Sequence, residues 1–195
     1  MVDKKESEMA TNDAGKNIML AFQVVTDTYR QADALLARLD EALHKKKLFP
    51  SQKRKVADNQ TVRLGSADRW IPVNLYREYS SAERGSSKPI DQVIAFEIIL
   101  RPDDAEEPVL AVAVLELRRK ISVGQIWSAW GGSLAHAIDL EAGLDATEPM
   151  DVAEEDLEVC FDEATKGRAL AIRRCDITED NLEKLVVDPA LALIK

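Results

Sequence analysis

Eight apolar residues near the start of the chain recur at alternating intervals of four and three positions: Ile18, Phe22, Val25, Tyr29, Ala32, Leu36, Leu39 and Leu43. This heptad spacing predicts a single helix of roughly 27 residues, on the order of 40 Å long. Its apolar seam is long and narrow, so it needs a cover. The cover is a sheet of the same chain, a partner helix, or both.

Beyond residue 60 the apolar residues recur at every second position, which is the spacing typical of a strand. Alternation with polar positions predicts a half-buried strand through Ile71, Val73, Leu75 and Tyr79. Two nearly continuous apolar runs, 93–100 and 109–117, flank a polar loop that has a proline near each end. They predict a hairpin at the centre of a sheet. The runs 157–161 and 168–175, which flank Lys166-Gly167, predict a second hairpin.

These elements predict the α+β class. We expect one long N-terminal helix packed on a mainly antiparallel sheet of about five or six strands, because strands follow one another through short connections. A short C-terminal helix is expected over residues 178–187, with Pro189 as its stop. Residues 1–15 are polar and predict a disordered N-terminal tail, so residues 16–195 form the single α+β domain.

The charge of the chain is concentrated in one segment. The formal net charge is −9, and residues 139–163 hold eleven carboxylates with no Lys or Arg. This acidic segment is interpreted as a solvated loop, as a docking surface for a basic partner, or as a mimic of nucleic-acid charge. A sequence pI near 4.9 argues against nucleic acid as a partner.

The sequence argues against several other classes of protein. The longest apolar run, residues 109–115, is far too short to span a membrane, and residues 1–16 do not resemble a signal peptide. Cys160 and Cys175 match no zinc spacing, and no glycine-rich phosphate loop is present. We therefore expect a cytoplasmic protein with reduced thiols, no cofactor and no metal.

Four charged residues of the predicted hairpin suggest a catalytic alternative. If Leu100 pairs with Val109, then Asp91, Glu97, Glu116 and Arg118 share one face of the two strands. This group resembles the Asp … Glu-x-Lys arrangement of metal-dependent nucleases, with arginine in place of lysine, in which the acids hold Mg²⁺. The other interpretation is a solvated face on which Asp91 and Arg118 form a cross-strand ion pair.

The large apolar residues suggest a binding role instead. On the predicted helix the candidate partner-binding residues are Phe22, Tyr29 and Leu36; elsewhere they are Trp127 and Trp130, which are anchors if exposed and core residues if buried. We therefore expect a non-catalytic interaction or assembly module. It would bind a protein partner or itself through the N-terminal helix and possibly the acidic segment. The alternatives are a metal-dependent phosphodiesterase or nuclease using Asp91, Glu97 and Glu116, and an acidic inhibitor or immunity-type protein.

Overall fold

A computed structural model describes residues 3–53, 56–57, 74–100, 106–129, 132–145 and 148–194. The helices are α1 (Asp3–Lys45), α2 (Ile126–Ala129), α3 (Leu140–Asp145), α4 (Glu154–Cys160) and α5 (Asp188–Leu193). The strands are β1 (Phe49–Pro50), β2 (Val56–Ala57), β3 (Asn74–Ser80), β4 (Ile90–Ile99), β5 (Val109–Ile121), β6 (Met150–Val152) and β7 (Ala164–Arg173). The chain divides into two compact units, residues 1–38 and residues 39–195.

Helix α1 is longer than the heptad pattern predicts. It has 43 residues and begins at Asp3, so the predicted boundary between a tail and a domain lies inside the helix. Its first turns are rich in Lys, Glu, Met and Ala, which favour helix without any apolar period. The helix ends where Lys47 adopts a positive φ of 62°. The N–H of Leu48 then donates to the carbonyl of Leu43, which satisfies one of the last free carbonyls.

The sheet is antiparallel, as predicted. Its strands lie in the order β1-β3-β4-β5-β7-β6, and β2 also pairs with β3. With the long N-terminal helix and the short C-terminal helix this is the predicted α+β architecture. Of the predicted strand near residue 75, Leu75 and Tyr79 lie in β3, whereas Ile71 and Val73 lie outside the described residues.

The register of the central hairpin differs by one residue from the predicted one. Ile99, not Leu100, lies opposite Val109, and the pairing continues to Gln92 opposite Glu116 before a bulge. The sheet therefore has an alanine face, which carries Ala95, Ala111, Ala113 and Ala169, and an isoleucine face, which carries Ile94, Ile98 and Val112.

Buried residues from the segment between β5 and β7 form one core cluster with the alanine face: Ile126, Leu134, Ile138, Leu157 and Phe161. Small side chains let these helical turns approach the strands closely. A Cβ added at Gly167 of β7 would lie 3.1 Å from both δ-carbons of Leu157. The predicted strand at 157–161 is wrong, because residues 154–160 form α4, and three acids in its first turn favour a helix N-terminus.

The last residues of α1 are tied to the isoleucine face by a partly buried ion pair. Arg77 of β3 donates to both carboxylate oxygens of Asp40, at 2.8 and 2.7 Å. The Tyr79 hydroxyl donates to the same carboxylate at 2.6 Å, and Arg77 also donates to the carbonyl of Gln52. Burial lowers the pKa of Arg77, but the hydrogen bond and charge of Asp40 outweigh it and raise the pKa.

The C-terminal helix continues past its predicted stop. A π-helical turn, Glu183–Val187, leads directly into α5, and Pro189 lies in the first turn of α5. Proline has no N–H to donate to the carbonyl four residues earlier. The wider π turn accommodates this loss, and proline is tolerated in a first helical turn.

We expect Gly167→Ala to destabilise the protein by about 1 kcal/mol, because Leu157 and Leu115, both fully buried, would have to move. Chemical denaturation would measure this loss. The control is Gly124→Ala, because a Cβ added at Gly124 meets nothing within 4 Å. Equal stability of the two variants would contradict the close approach of α4 to the sheet.

We expect Asp40→Asn to cost about 3 kcal/mol of unfolding free energy, because it leaves the Arg77 guanidinium buried without its counter-charge. The matched control in α1 is Asp27→Asn, which removes the partner of an exposed arginine, Arg30. That change should cost less than about 0.5 kcal/mol. Urea denaturation of both variants is the measurement. Similar losses of unfolding free energy would show that the pair of Asp40 with Arg77 contributes no more than an exposed ion pair.

Candidate functional site

Among the residues that the structure describes, a short stretch of α1 exposes several large apolar side chains. Five large side chains within two turns are exposed by 57–70%: Ile18, Met19, Leu20, Phe22 and Val24. We call these residues the 18–24 surface. At about 100° per residue they lie on several sides of the helix, whereas a surface helix normally confines its apolar residues to one stripe.

Polar side chains next to this stretch form their hydrogen bonds and ion pairs with other groups of α1. The hydroxyls of Thr26 and Thr28 donate to the carbonyls of Phe22 and Val24, four residues earlier, at 2.8 and 2.9 Å. Arg30 pairs with Asp27 at 3.0 Å on the exposed side. The threonine hydroxyls therefore need no outside acceptor, and the stretch offers a partner mainly apolar contacts.

The predicted partner-binding residues differ in exposure. Phe22 is 67% exposed, Tyr29 is half-buried, and burial raises the pKa of the Tyr29 phenol. Leu36 is buried, and its role as a partner contact stays a prediction. Trp127 lies in α2, where only its backbone is described, and Trp130 lies outside the described residues.

The structure does not bring the predicted nuclease-like group together. In the observed register Glu97 lies opposite Ala111 on the alanine face, whereas Glu116 lies opposite Gln92 on the isoleucine face. A shift of one residue moves a side chain to the other face, which is why the predicted cluster separates. Across the residues that the structure describes, no three His, Cys, Asp or Glu side chains are placed to hold a metal ion.

The two outer members of that group pair elsewhere. Asp91 lies 3.5 Å from the ammonium of Lys120, and both side chains are exposed. Arg118 donates to Glu154 and Glu158 of α4, at 2.9 and 3.1 Å. The predicted ion pair between Asp91 and Arg118 is therefore replaced by these contacts.

Glu97 has a structural role. Its carboxylate accepts the Ser133 hydroxyl at 2.7 Å and the backbone N–H of Leu134 at 2.6 Å. Leu134 begins a one-turn 3-10 helix, so the buried carboxylate joins β4 to the segment that covers the alanine face. Burial, with a smaller effect of the Glu97 charge, raises the pKa of the Cys160 thiol to about 12. Cys160 is a buried thiol, and its Sγ donates to the carbonyl of Leu157 at 3.4 Å.

A second buried carboxyl group escaped the sequence analysis. Glu78 of β3 is 1% exposed, and the Ser51 hydroxyl donates to its Oε2 at 2.6 Å. Its Oε1 accepts no hydrogen bond from the described part of the chain. Burial raises the pKa of Glu78, and the hydrogen bond from Ser51 offsets this only in part.

The acidic segment is partly neutralised by the chain itself. Residues 139–163 include α3, β6 and α4. Three glutamates of this segment form ion pairs with arginines of β5: Glu154 and Glu158 with Arg118, and Glu163 with Arg119. The hydrogen bond from Arg119 lowers the pKa of Glu163. Use of this segment to bind a basic partner stays a prediction.

We expect the stability conferred by Glu78 to fall as the pH rises. A carboxyl group whose pKa is raised by folding stabilises the folded state fully below its unfolded pKa, near 4.3. That contribution is lost as the pH rises through the folded pKa, with a slope of at most about 1.4 kcal/mol per pH unit. Because Gln cannot ionise, Glu78→Gln should become more stable relative to the native chain from pH 4 to pH 8.

Urea denaturation at several pH values measures the difference in unfolding free energy between Glu78→Gln and the native chain. The other titrating groups are the same in both proteins, so their contributions cancel. The control is Glu116→Gln, which changes an exposed glutamate of β5. A stability difference between native chain and Glu78→Gln that stays constant over this pH range would disprove the role of Glu78.

Within the described ranges, none of the helices, long α1 included, combines the length and the apolar character needed to cross a membrane. Comparison of the chain with protein-family models, with curated proteins and with solved structures gives no match.

Proposed function

We propose that this protein is a non-catalytic assembly module that associates with copies of itself through the 18–24 surface of α1. The observation that supports this proposal is the exposure of five large apolar side chains within two turns of one helix. Burying apolar area is worth about 25 cal/mol per Å². A contiguous patch of this kind typically marks an interaction site.

The spacing of the seam favours another helix as the partner. Ile18, Phe22 and Val25 occupy the positions that pack in coiled coils, and the chain itself supplies a helix with the same spacing. The positions that flank this seam are Met19, Ala21, Thr26 and Thr28. In a two-stranded coiled coil such positions usually carry charges that select the partner, and here they are uncharged.

The 18–24 surface extends beyond one seam. Leu20 lies roughly 200° around the helix from Ile18 and Val24 lies close to Leu20, at about 100° per residue. The helix thus has two nearly opposite apolar faces, and both are exposed. A two-chain assembly would cover only one of them. We therefore expect three or more chains, with each helix contacting two neighbours.

Sedimentation velocity at micromolar concentration should show an oligomer. Phe22→Glu should weaken association at least about thirtyfold, because it removes about 2 kcal/mol of apolar burial. Leu20→Glu, on the opposite face, should also weaken it. The control is Gln31→Glu, which adds the same charge to an exposed position of α1 beyond the 18–24 surface.

Each result has a distinct meaning. A strictly monomeric native chain would contradict self-assembly. If Phe22→Glu weakens association and Leu20→Glu does not, self-assembly through the seam is supported and the second contact face is contradicted. Circular dichroism checks that the variants keep the helix, which we expect because all the changed side chains are exposed.

A further inference from the structure

A cleft on the isoleucine face, remote in sequence from the 18–24 surface, has the features of a small-molecule site. Its volume is about 320 Å³, and it lies over β5 and β7 beside the end of α5. Val114 and Leu193, both buried, form its apolar part. Ligand pockets typically span about 300–1,000 Å³, so this one suits a small metabolite and not a nucleotide or a peptide.

Four charged side chains surround this cleft, two of each sign. Lys166 of β7 lies opposite Glu116 of β5, and Arg168 of β7 lies opposite Asp151 of β6. Lys166 and Arg168 are two residues apart on one strand and so lie roughly 7 Å apart on the same face. Gln92 lies opposite Glu116 on the other side and adds an amide to the lining.

These charges are only loosely compensated within the chain. Arg168 Nε lies 3.8 Å from Asp151 Oδ1, and the Asp151 side chain is 93% exposed. Lys166 and Glu116 form no ion pair within 4.0 Å, although both are described and directly opposite. Charge-assisted hydrogen bonds are usually 2.7–2.9 Å long, so the cleft retains unused capacity to bind charge.

We propose that the cleft binds a free α-amino acid with an apolar side chain. The ligand carboxylate lies between Lys166 and Arg168, and its ammonium group is held by Glu116. An α-amino acid carries opposite charges on neighbouring atoms. This matches a lysine and a glutamate that face each other across two strands, whose Cβ atoms are about 5 Å apart. The apolar side chain contacts Val114 and Leu193.

The mixed charge of the lining sets the ligand class. A phosphate or another polyanion would meet Glu116 and Asp151 as well as the two cations, and a simple amine would meet both cations. Only a zwitterion satisfies charges of both signs at once. The apolar part then distinguishes leucine-like ligands from glycine, because burial of each CH₂ group is worth about 0.8 kcal/mol.

Isothermal titration calorimetry with L-leucine tests this proposal, with glycine, acetate and butylamine as comparison ligands. Leucine should bind, and each comparison ligand should bind at least about tenfold more weakly. Lys166→Gln and Glu116→Gln should each weaken leucine binding at least about tenfold, because each removes a hydrogen bond to a charged group. The control is Lys120→Gln, an exposed lysine of β5 that pairs with Asp91 outside the cleft.

Three outcomes would overturn the proposal: no heat of binding with leucine, equal binding of acetate and leucine, or variants that bind leucine as the native chain does. An amide proton–nitrogen NMR spectrum of each variant shows that it is folded. The spectrum of the native chain with leucine should shift at residues of β5 and β7 around the cleft. Shifts confined to other elements would also contradict the site.

Discussion

The pairing of β4 with β5 determines what both faces of the sheet present. With Ile99 opposite Val109, Glu97 points to the alanine face, where it binds Ser133 and the backbone of Leu134. The same register places Glu116 on the other face, beside the cleft. Because side chains alternate along a strand, a shift of one residue would place Glu97 and Glu116 on the same face of the sheet.

Long periodic elements could be predicted from the sequence, and short or aperiodic ones could not. The heptad seam predicted α1 because its pattern persists over many turns, but the polar turns after Asp3 carry no period. The two apolar runs and the loop between them predicted the central hairpin. They did not determine its register, because moving the assumed midpoint of the loop by half a residue shifts the strand pairing by one residue. The run 157–161 is too short to distinguish a strand from the buried side of a helix.

The 18–24 surface was only partly predictable from the sequence. The heptad pattern of α1 has the same spacing where its apolar residues are buried and where they are exposed. Phe22 and Leu36 occupy equivalent positions in the pattern, yet one is exposed and the other is buried. The buried charges of β3 were missed because their partners are distant in sequence: Arg77 binds a carboxylate 37 residues away. A signal was present, since Arg77 and Glu78 lie between apolar and aromatic residues, with Leu75 and Tyr76 before them and Tyr79 after them.

Two outer strands of the sheet are very short: β1 has two residues and β6 has three. Such strands offer few unpaired backbone groups to another chain, so they are poor templates for amyloid-like growth. The proposed association through an exposed helix would therefore be separate from the sheet borders, where short strands oppose irreversible aggregation. Side-chain contacts between helices can then be tuned or broken without exposing the strands to cross-β stacking.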